Sequence, residues 1–131
     1  MRYIALLLLF VFISSTAFAA QWVTLAKRAD GTVYSIERGT LSEKGNSLQF
    51  WLRAVPQNPR QLADGREYVK TESHEVILCP QDKASTVTIN YFDTNNNIIE
   101  SEKILNNNRT LVYRDIQPSG IDGYIAAKYC N

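Results

Sequence analysis

The chain has 131 residues, of which 45% are hydrophobic, and its formal net charge is +1. This length predicts one domain rather than two. Its 14 basic residues nearly balance its 13 acidic residues. The composition therefore lacks the excess of positive charge that is typical of proteins that bind nucleic acids or anionic membranes, and we expect neither kind of partner.

The first 19 residues have the three parts of a secretory signal peptide. Arg2 supplies a positive charge, residues 4–13 form an apolar run, and Ala-Phe-Ala at residues 17–19 marks a cleavage point. The apolar run is too short to span a bilayer, and no longer run follows, so we expect no stable membrane insertion. We predict a signal peptide over residues 1–19 and a single exported domain over residues 20–131.

Two cysteines, Cys79 and Cys130, lie in the predicted exported domain. In an oxidising compartment such a pair predicts one disulfide. The alternative is a reactive thiol activated by the single histidine, His74. Neither cysteine lies at the predicted cleavage point, so we do not expect the lipid-attachment cysteine of a bacterial lipoprotein. The protein is predicted to be periplasmic or secreted, with association to the cell surface left open.

The first half of the predicted domain has three segments with the pattern of β-strands. Residues 21–27 and 31–37 flank an Ala-Asp-Gly turn, which indicates a hairpin. After a polar turn at residues 42–46, residues 47–55 show the clearest period-2 alternation of the chain. The side chains of this strand that should face the core are those of Leu48, Phe50, Leu52 and Ala54.

The second half of the domain predicts further strands. Residues 56–65 contain two prolines and no periodicity, which is typical of a loop. Strands are predicted over residues 66–79, 85–93 and 98–104, the last two joined by an Asp- and Asn-rich turn. Residues 109–116 fit a short strand or an extended connector equally well.

A helix of about ten residues is predicted at the C-terminus. Ser119 and Asp122 have the spacing of a capping box, and Ile121, Tyr124 and Ile125 follow at helical spacing. The predicted fold class is α+β. It consists of an antiparallel β-sheet of about six strands, with the C-terminal helix packed on one face and tied to it by the disulfide.

The residues give little indication of catalysis. A hydrolase would need His74 as its base, and no Gly-x-Ser-x-Gly motif is present. With one histidine and two cysteines already assigned to a disulfide, the chain lacks the ligands of a tetrahedral zinc site. We therefore expect no cofactor, no metal and no enzymatic activity. A small hydrolase that depends on His74 is the alternative.

Trp51 and Arg53 are the candidate binding residues. Both fall on the side of the predicted strand 47–55 opposite its apolar residues. Tryptophan and arginine are enriched where proteins bind each other, so this side of the strand is a candidate recognition face. The alternative is that Trp51 contributes to the core beneath the C-terminal helix, and the pattern does not separate the two.

The order of several short segments resembles the surface-adhesin protein E family of Gram-negative bacteria. The segments are QWV at 21–23, DGTVYSI at 30–36, GNSLQFWLR at 45–53, EVILC at 75–79, YFD at 91–93, NII at 97–99, IQPSG at 116–120 and YC at 129–130. The resemblance covers the whole predicted domain and implies an antiparallel sheet whose C-terminal helix is held by a disulfide. It also implies a non-enzymatic surface protein that binds host matrix and serum proteins such as vitronectin and laminin, with a homodimer possible.

Two functions remain besides the hydrolase. The first is an exported protein-binding module, with an adhesin as a special case. The second is a periplasmic structural, accessory or inhibitor protein that acts on an envelope partner, for example by adding a strand to its sheet.

Overall fold

The computed structural model describes residues 19–105 and 108–130. The predicted signal peptide, apart from its last residue, and most of the Asn-rich break predicted at residues 106–108 lie outside the described residues. Within the described part of the chain, no helix is long and apolar enough to cross a membrane.

A single antiparallel sheet dominates the described residues. Eight strands form it in the order β1-β2-β4-β7-β8-β10, with β3 paired to β4 and β9 paired to β8, while β5 and β6 form a separate hairpin. The elements are β1 (Trp22–Lys27), β2 (Val33–Glu37), β3 (Ser42–Lys44), β4 (Ser47–Val55), β5 (Arg60–Gln61), β6 (Glu67–Tyr68), β7 (Lys70–Leu78), a 3₁₀ turn (Cys79–Gln81), β8 (Lys83–Phe92), β9 (Ile98–Lys103), β10 (Arg114–Asp115) and α1 (Ile121–Tyr129).

The predicted fold class is confirmed, and the additional strands are short. β3 lies where a polar turn is predicted, β5 lies in the predicted loop, and the long segment 66–79 divides into β6 and β7. Two or three polar residues in a row carry no period-2 apolar pattern. Such short strands form because their backbone pairs with a neighbouring strand. The local sequence therefore does not predict them.

The hydrophobic core lies between the sheet and α1. Leu48, Phe50 and Leu52 are buried, as the alternation of β4 predicts, and they form one cluster with Ile77 of β7 and Ile125 of α1. Full burial of each such side chain stabilises the fold by roughly 1.5–3 kcal/mol. The face of β4 that contains these residues is therefore the helix-covered face of the sheet.

The predicted capping box of the helix is wrong. Gly120 is the N-cap residue, and no side chain caps the first turn. The carboxylate of Asp122 instead accepts hydrogen bonds from Arg114, at 3.1 Å from Nε and 2.8 Å from Nη2. Tyr124, which the predicted apolar stripe includes, is 42% exposed, while Tyr129 packs against the core. The helix is short, so a small rotation about its axis decides which side chains meet the sheet.

A disulfide joins Cys79 to Cys130, with 5.7 Å between their Cα atoms. Cys79 begins the 3₁₀ turn after β7, and Cys130 directly follows α1. The disulfide therefore connects the end of the helix to the end of a central strand, as predicted. The alternative of a reactive thiol is wrong, because both sulfur atoms are bonded.

Candidate binding face of the sheet

The sheet has a second face that α1 does not cover. Successive side chains of a strand point to opposite sides of the sheet, and Phe50 points toward the helix, so Trp51 and Arg53 lie on the other side. In the register of β4 and β7, Trp51 pairs with His74 and Arg53 pairs with Glu72, so these two residues of β7 lie on the same side of the sheet. We call this surface the open face and define it by Trp22, Trp51, Arg53, Lys70, Glu72 and His74.

Trp51 stacks on His74 on the open face. The ring centroids are 5.5 Å apart and the rings are inclined by 20°. Partial burial of the imidazole lowers the pKa of His74, because removal from water disfavours the charged form. The histidine is therefore neutral near pH 7 and acts as an aromatic surface. Trp51 lies on the open face and not beneath α1, so that alternative is wrong.

Arg53 connects an aromatic ring to a carboxylate on this face. Its guanidinium carbon lies 3.9 Å from the centroid of the Trp22 ring. Its Nη2 and Nε atoms donate hydrogen bonds to one oxygen of Glu72, at 2.8 and 3.2 Å. The Arg53 and Glu72 side chains are 26% and 18% exposed. The arginine is thus held by two partners while part of it remains accessible.

Lys70 extends the same row of contacts. Its ammonium lies 3.4 Å from the Glu72 carboxylate and 4.3 Å from the centroid of the Phe92 ring. The row runs from Trp22 through Arg53, Glu72 and Lys70 to Phe92, and its two cations flank one carboxylate. Each cation–π contact of this kind contributes about 0.5–1 kcal/mol, and each partly exposed ion pair contributes about 0.2–1 kcal/mol. Together these contacts restrict several long side chains before any partner arrives.

The surroundings of His74 do not resemble a catalytic site. Among the described residues, no hydrogen bond joins its imidazole to a carboxylate or to a hydroxyl nucleophile, and its contact is with an indole ring. Across the same residues, no three His, Cys, Asp or Glu side chains are grouped so that they could hold a metal ion. The open face instead presents a surface of aromatic and cationic side chains.

Sequence similarity to known proteins assigns the family. A model of the surface-adhesin protein E family matches residues 22–131. The chain belongs to this family. The fold resembles the crystal structure of protein E from non-typeable Haemophilus influenzae, with a TM-score of 0.57 and 10% sequence identity over 88% of this chain and 78% of that one. No curated protein matches the chain in sequence.

The family resemblance inferred from the short segments is therefore confirmed. At 10% identity the structural similarity shows a common fold, and it assigns no role to individual side chains. Trp51 and Arg53 thus remain predictions as binding residues of this adhesin-family protein. The sequence analysis did not place Trp22, Lys70 or Glu72 on this face. Lys70, Glu72 and His74 occupy alternate positions of β7, but this alternation becomes informative only when the strand register is known.

Proposed function

We propose that this member of the surface-adhesin protein E family is a non-enzymatic, exported protein-binding module that acts through its open face. Host matrix or serum proteins such as vitronectin and laminin are the proposed partners. The observation that carries the proposal is the open face itself, where Trp22, Trp51 and Arg53 are partly exposed and held in place by their neighbours.

Three properties of the open face suit a protein partner. Tryptophan and arginine are the side chains most often found to dominate binding energy at protein interfaces. Side chains that already have their bound conformation lose little conformational entropy on binding. The guanidinium and ammonium groups favour a partner with carboxylates opposite them, since complementary charge speeds association and orients the complex.

The alternative function, an accessory or inhibitor protein inside the envelope, is favoured by the position of β1 at an edge of the sheet. Among the described strands β1 is terminal in the sheet order, and an edge strand can pair with a strand of a partner or of a second copy of this chain. The location of the protein separates the two functions. Protease added to intact cells should remove a surface adhesin and should leave a periplasmic protein intact.

The binding test compares variants of the open face with a matched control. We expect Trp51→Ala and Arg53→Ala each to weaken binding to immobilised vitronectin or laminin by about tenfold or more, as truncation of a central anchor does. Tyr113→Ala removes an aromatic side chain that is 41% exposed outside the open face and should leave binding unchanged. Biolayer interferometry gives the affinities, and circular dichroism verifies that each variant is folded.

Two outcomes would contradict the proposal. One is that the folded wild-type protein binds no matrix protein and retains no specific partner from an envelope extract. The other is that the protein binds, but Trp51→Ala and Arg53→Ala, like the control Tyr113→Ala, have the affinity of the wild type. This result would place the interface elsewhere on the sheet.

A further inference from the structure

A cavity of about 460 Å³ lies between the β5–β6 hairpin and the strands β8 and β9. Its walls include no residue of the open face. In the register of β8 and β9, Tyr91 pairs with Glu100 and Ile89 pairs with Glu102, so these carboxylates and the phenol share one side of the sheet. The side chains that give the cavity its chemical character are Asp64, Arg66, Tyr68, Tyr91, Glu100 and Glu102.

Two tyrosines form adjacent walls of the cavity. The ring centroids of Tyr68 and Tyr91 are 4.9 Å apart, and the ring planes meet at 75°. Burial raises the pKa of Tyr91, and the neighbouring Glu102 adds to the effect, so the phenol stays protonated and donates a hydrogen bond of 3.4 Å to the Glu102 carboxylate. Two aromatic walls nearly at right angles, with a carboxylate beside them, form the corner of an aromatic cage.

The charges around this corner are predominantly negative. Three carboxylates and one guanidinium line the cavity, which leaves an excess of two negative charges. Arg66 is engaged by two of the carboxylates, since it pairs with Asp64 at 2.7 Å and with Glu100. Glu102 makes no ion pair with any of the described residues, and its carboxylate lies beside the tyrosine corner, where it accepts the hydrogen bond from Tyr91.

Backbone hydrogen bonds close the turn of the hairpin and join the residue after it to the sheet. The Gly65 amide donates to the Leu62 carbonyl and the Leu62 amide donates to the Arg66 carbonyl, at 2.9 and 2.8 Å, and Gly65 has a φ of +88°. The Val69 amide donates to the Phe92 carbonyl at 2.9 Å. These hydrogen bonds restrict the backbone on both sides of Tyr68, which lowers the entropy that binding must remove.

We propose that this cavity binds an alkylammonium group, the chemistry of a lysine side chain or of a free aliphatic amine. The aromatic faces attract a cation through their quadrupole, and Glu102 supplies the charge that an ammonium needs. An anion would be repelled by the excess of negative charge. The site is separate from the open face, so it adds a second recognition element to the protein-binding function proposed above without depending on it.

The experiment is an NMR titration of the ¹⁵N-labelled exported domain, residues 20–131, with n-butylammonium, with n-butanol as the neutral probe of the same shape. We expect n-butylammonium to shift the amide resonances of residues 61–68 and 98–103, with a Kd on the order of tens of millimolar, since two aromatic faces and one carboxylate supply only a small binding free energy. n-Butanol should shift the same resonances far less.

Variants identify the groups that carry binding. Glu102→Gln keeps the size of the side chain and removes its charge, and it should weaken the binding of n-butylammonium by at least about threefold. Tyr68→Leu should have a similar effect because it removes one aromatic wall. Glu43→Gln, which neutralises an exposed carboxylate on β3 outside this cavity, and Arg53→Ala, which alters the open face, should both leave the affinity unchanged.

Equal shifts from n-butylammonium and n-butanol would overturn the proposal, as would equal affinities for wild type, Glu102→Gln and Tyr68→Leu. A capped Gly-Lys-Gly peptide then distinguishes the two sources of the amine. Binding of this peptide at the same resonances would identify a lysine of a partner protein as the ligand, whereas binding of n-butylammonium alone would identify a free amine.

Discussion

Two buried glutamates show how immediate surroundings decide the behaviour of one residue type. Glu37 and Glu75 are 7% and 5% exposed. The pKa of Glu37 is lowered, because the backbone amides of Gln21 and Gly39 donate hydrogen bonds to its carboxylate at 2.9 and 3.0 Å. The pKa of Glu75 is raised, because burial outweighs the hydrogen bonds that its carboxylate accepts from the Thr86 hydroxyl.

The raised pKa of Glu75 predicts the effect of Glu75→Gln. The folded state holds the Glu75 proton more tightly than the unfolded state, so this group favours folding most below its unfolded pKa and loses that contribution as pH rises through its folded pKa. Glutamine has no proton to lose, so the stability of the variant does not fall as pH rises through the folded pKa of Glu75. Its side chain can still accept a hydrogen bond from Thr86. We expect the variant to be as stable as the wild type at pH 7, or more stable by about 1 kcal/mol, in urea unfolding measured between about pH 4.5 and 7.5.

Glu37→Gln is the matched control with the opposite sign. A lowered pKa contributes stability above the unfolded pKa, and this contribution is lost as pH falls through the folded pKa. This variant should therefore be less stable than the wild type at neutral pH, and the difference should shrink in acid. A large loss of stability at pH 7 in Glu75→Gln would show instead that the ion pair of Glu75 with Arg114 outweighs the cost of burial.

At the scale of an element, α1 is a short helix that depends on its contacts with the sheet. It has nine residues, fewer than an isolated helix needs to be stable in water. Its first turn is held by the ion pair of Asp122 with Arg114, its middle by the buried Ile125, and its end by Cys130. The backbone of residues 117 and 118 lies close against its first turn, which explains why a glycine is present at position 123.

Gly123→Ala should destabilise the protein, although alanine favours helix formation over glycine by about 1 kcal/mol. A Cβ atom at this position would lie 2.4 Å from the carbonyl oxygen of Gln117 and 2.8 Å from the Cα of Pro118. These are backbone atoms, which cannot move aside as the end of a flexible side chain can, so the helix would have to shift at a cost of about 1–3 kcal/mol. Thermal or urea unfolding measures the net change.

Ala127→Gly measures the propensity effect alone. Ala127 is exposed on the same helix, and glycine there should cost about 1 kcal/mol. If Gly123→Ala instead raised stability by a similar amount, the close approach of α1 to residues 117 and 118 would not be a constraint on the fold.

At the scale of the whole molecule, the strands β4, β7 and β8 form the centre and the disulfide closes a loop around part of it. These strands have nine, nine and ten residues. The disulfide joins residues 51 positions apart and connects the end of the described chain to the end of β7. The disulfide therefore secures the helix-covered face, whereas the described contacts of the open face are hydrogen bonds, ion pairs and ring contacts of its own side chains and of Phe92 and Asn96.

Cys130→Ser should loosen α1 and lower the melting temperature. A closed loop of this length is expected to contribute roughly 4 kcal/mol in the chain-entropy model, which in a domain of this size corresponds to a fall in Tm of more than about 10 °C. Calorimetry measures the change, and the reduced wild-type protein is the control, which should melt close to the variant. An unchanged Tm would mean that Ile125 and the Arg114–Asp122 ion pair dock the helix without the disulfide.

The sequence by itself determined the features that depend on local pattern or on counting. Period-2 alternation identified the core face of β4, the helical spacing of Ile121, Tyr124 and Ile125 predicted a C-terminal helix of about the observed length, and two cysteines permitted a single disulfide. The order of short segments identified the family. These predictions succeeded because each depends on residues close together in the sequence or, for the disulfide, on two cysteines that can pair in only one way.

Only the tertiary structure decided which distant residues meet. Strand register places Glu72 beside Arg53 and His74 beside Trp51, and the β5–β6 hairpin brings Tyr68 to Tyr91. The ion pair of Asp122 with Arg114, which replaces the predicted helix cap, is likewise a contact that only the tertiary structure decided. A shift of one residue in register would move every side chain of a strand to the other face. Such contacts follow from packing of the whole sheet, which no local segment encodes.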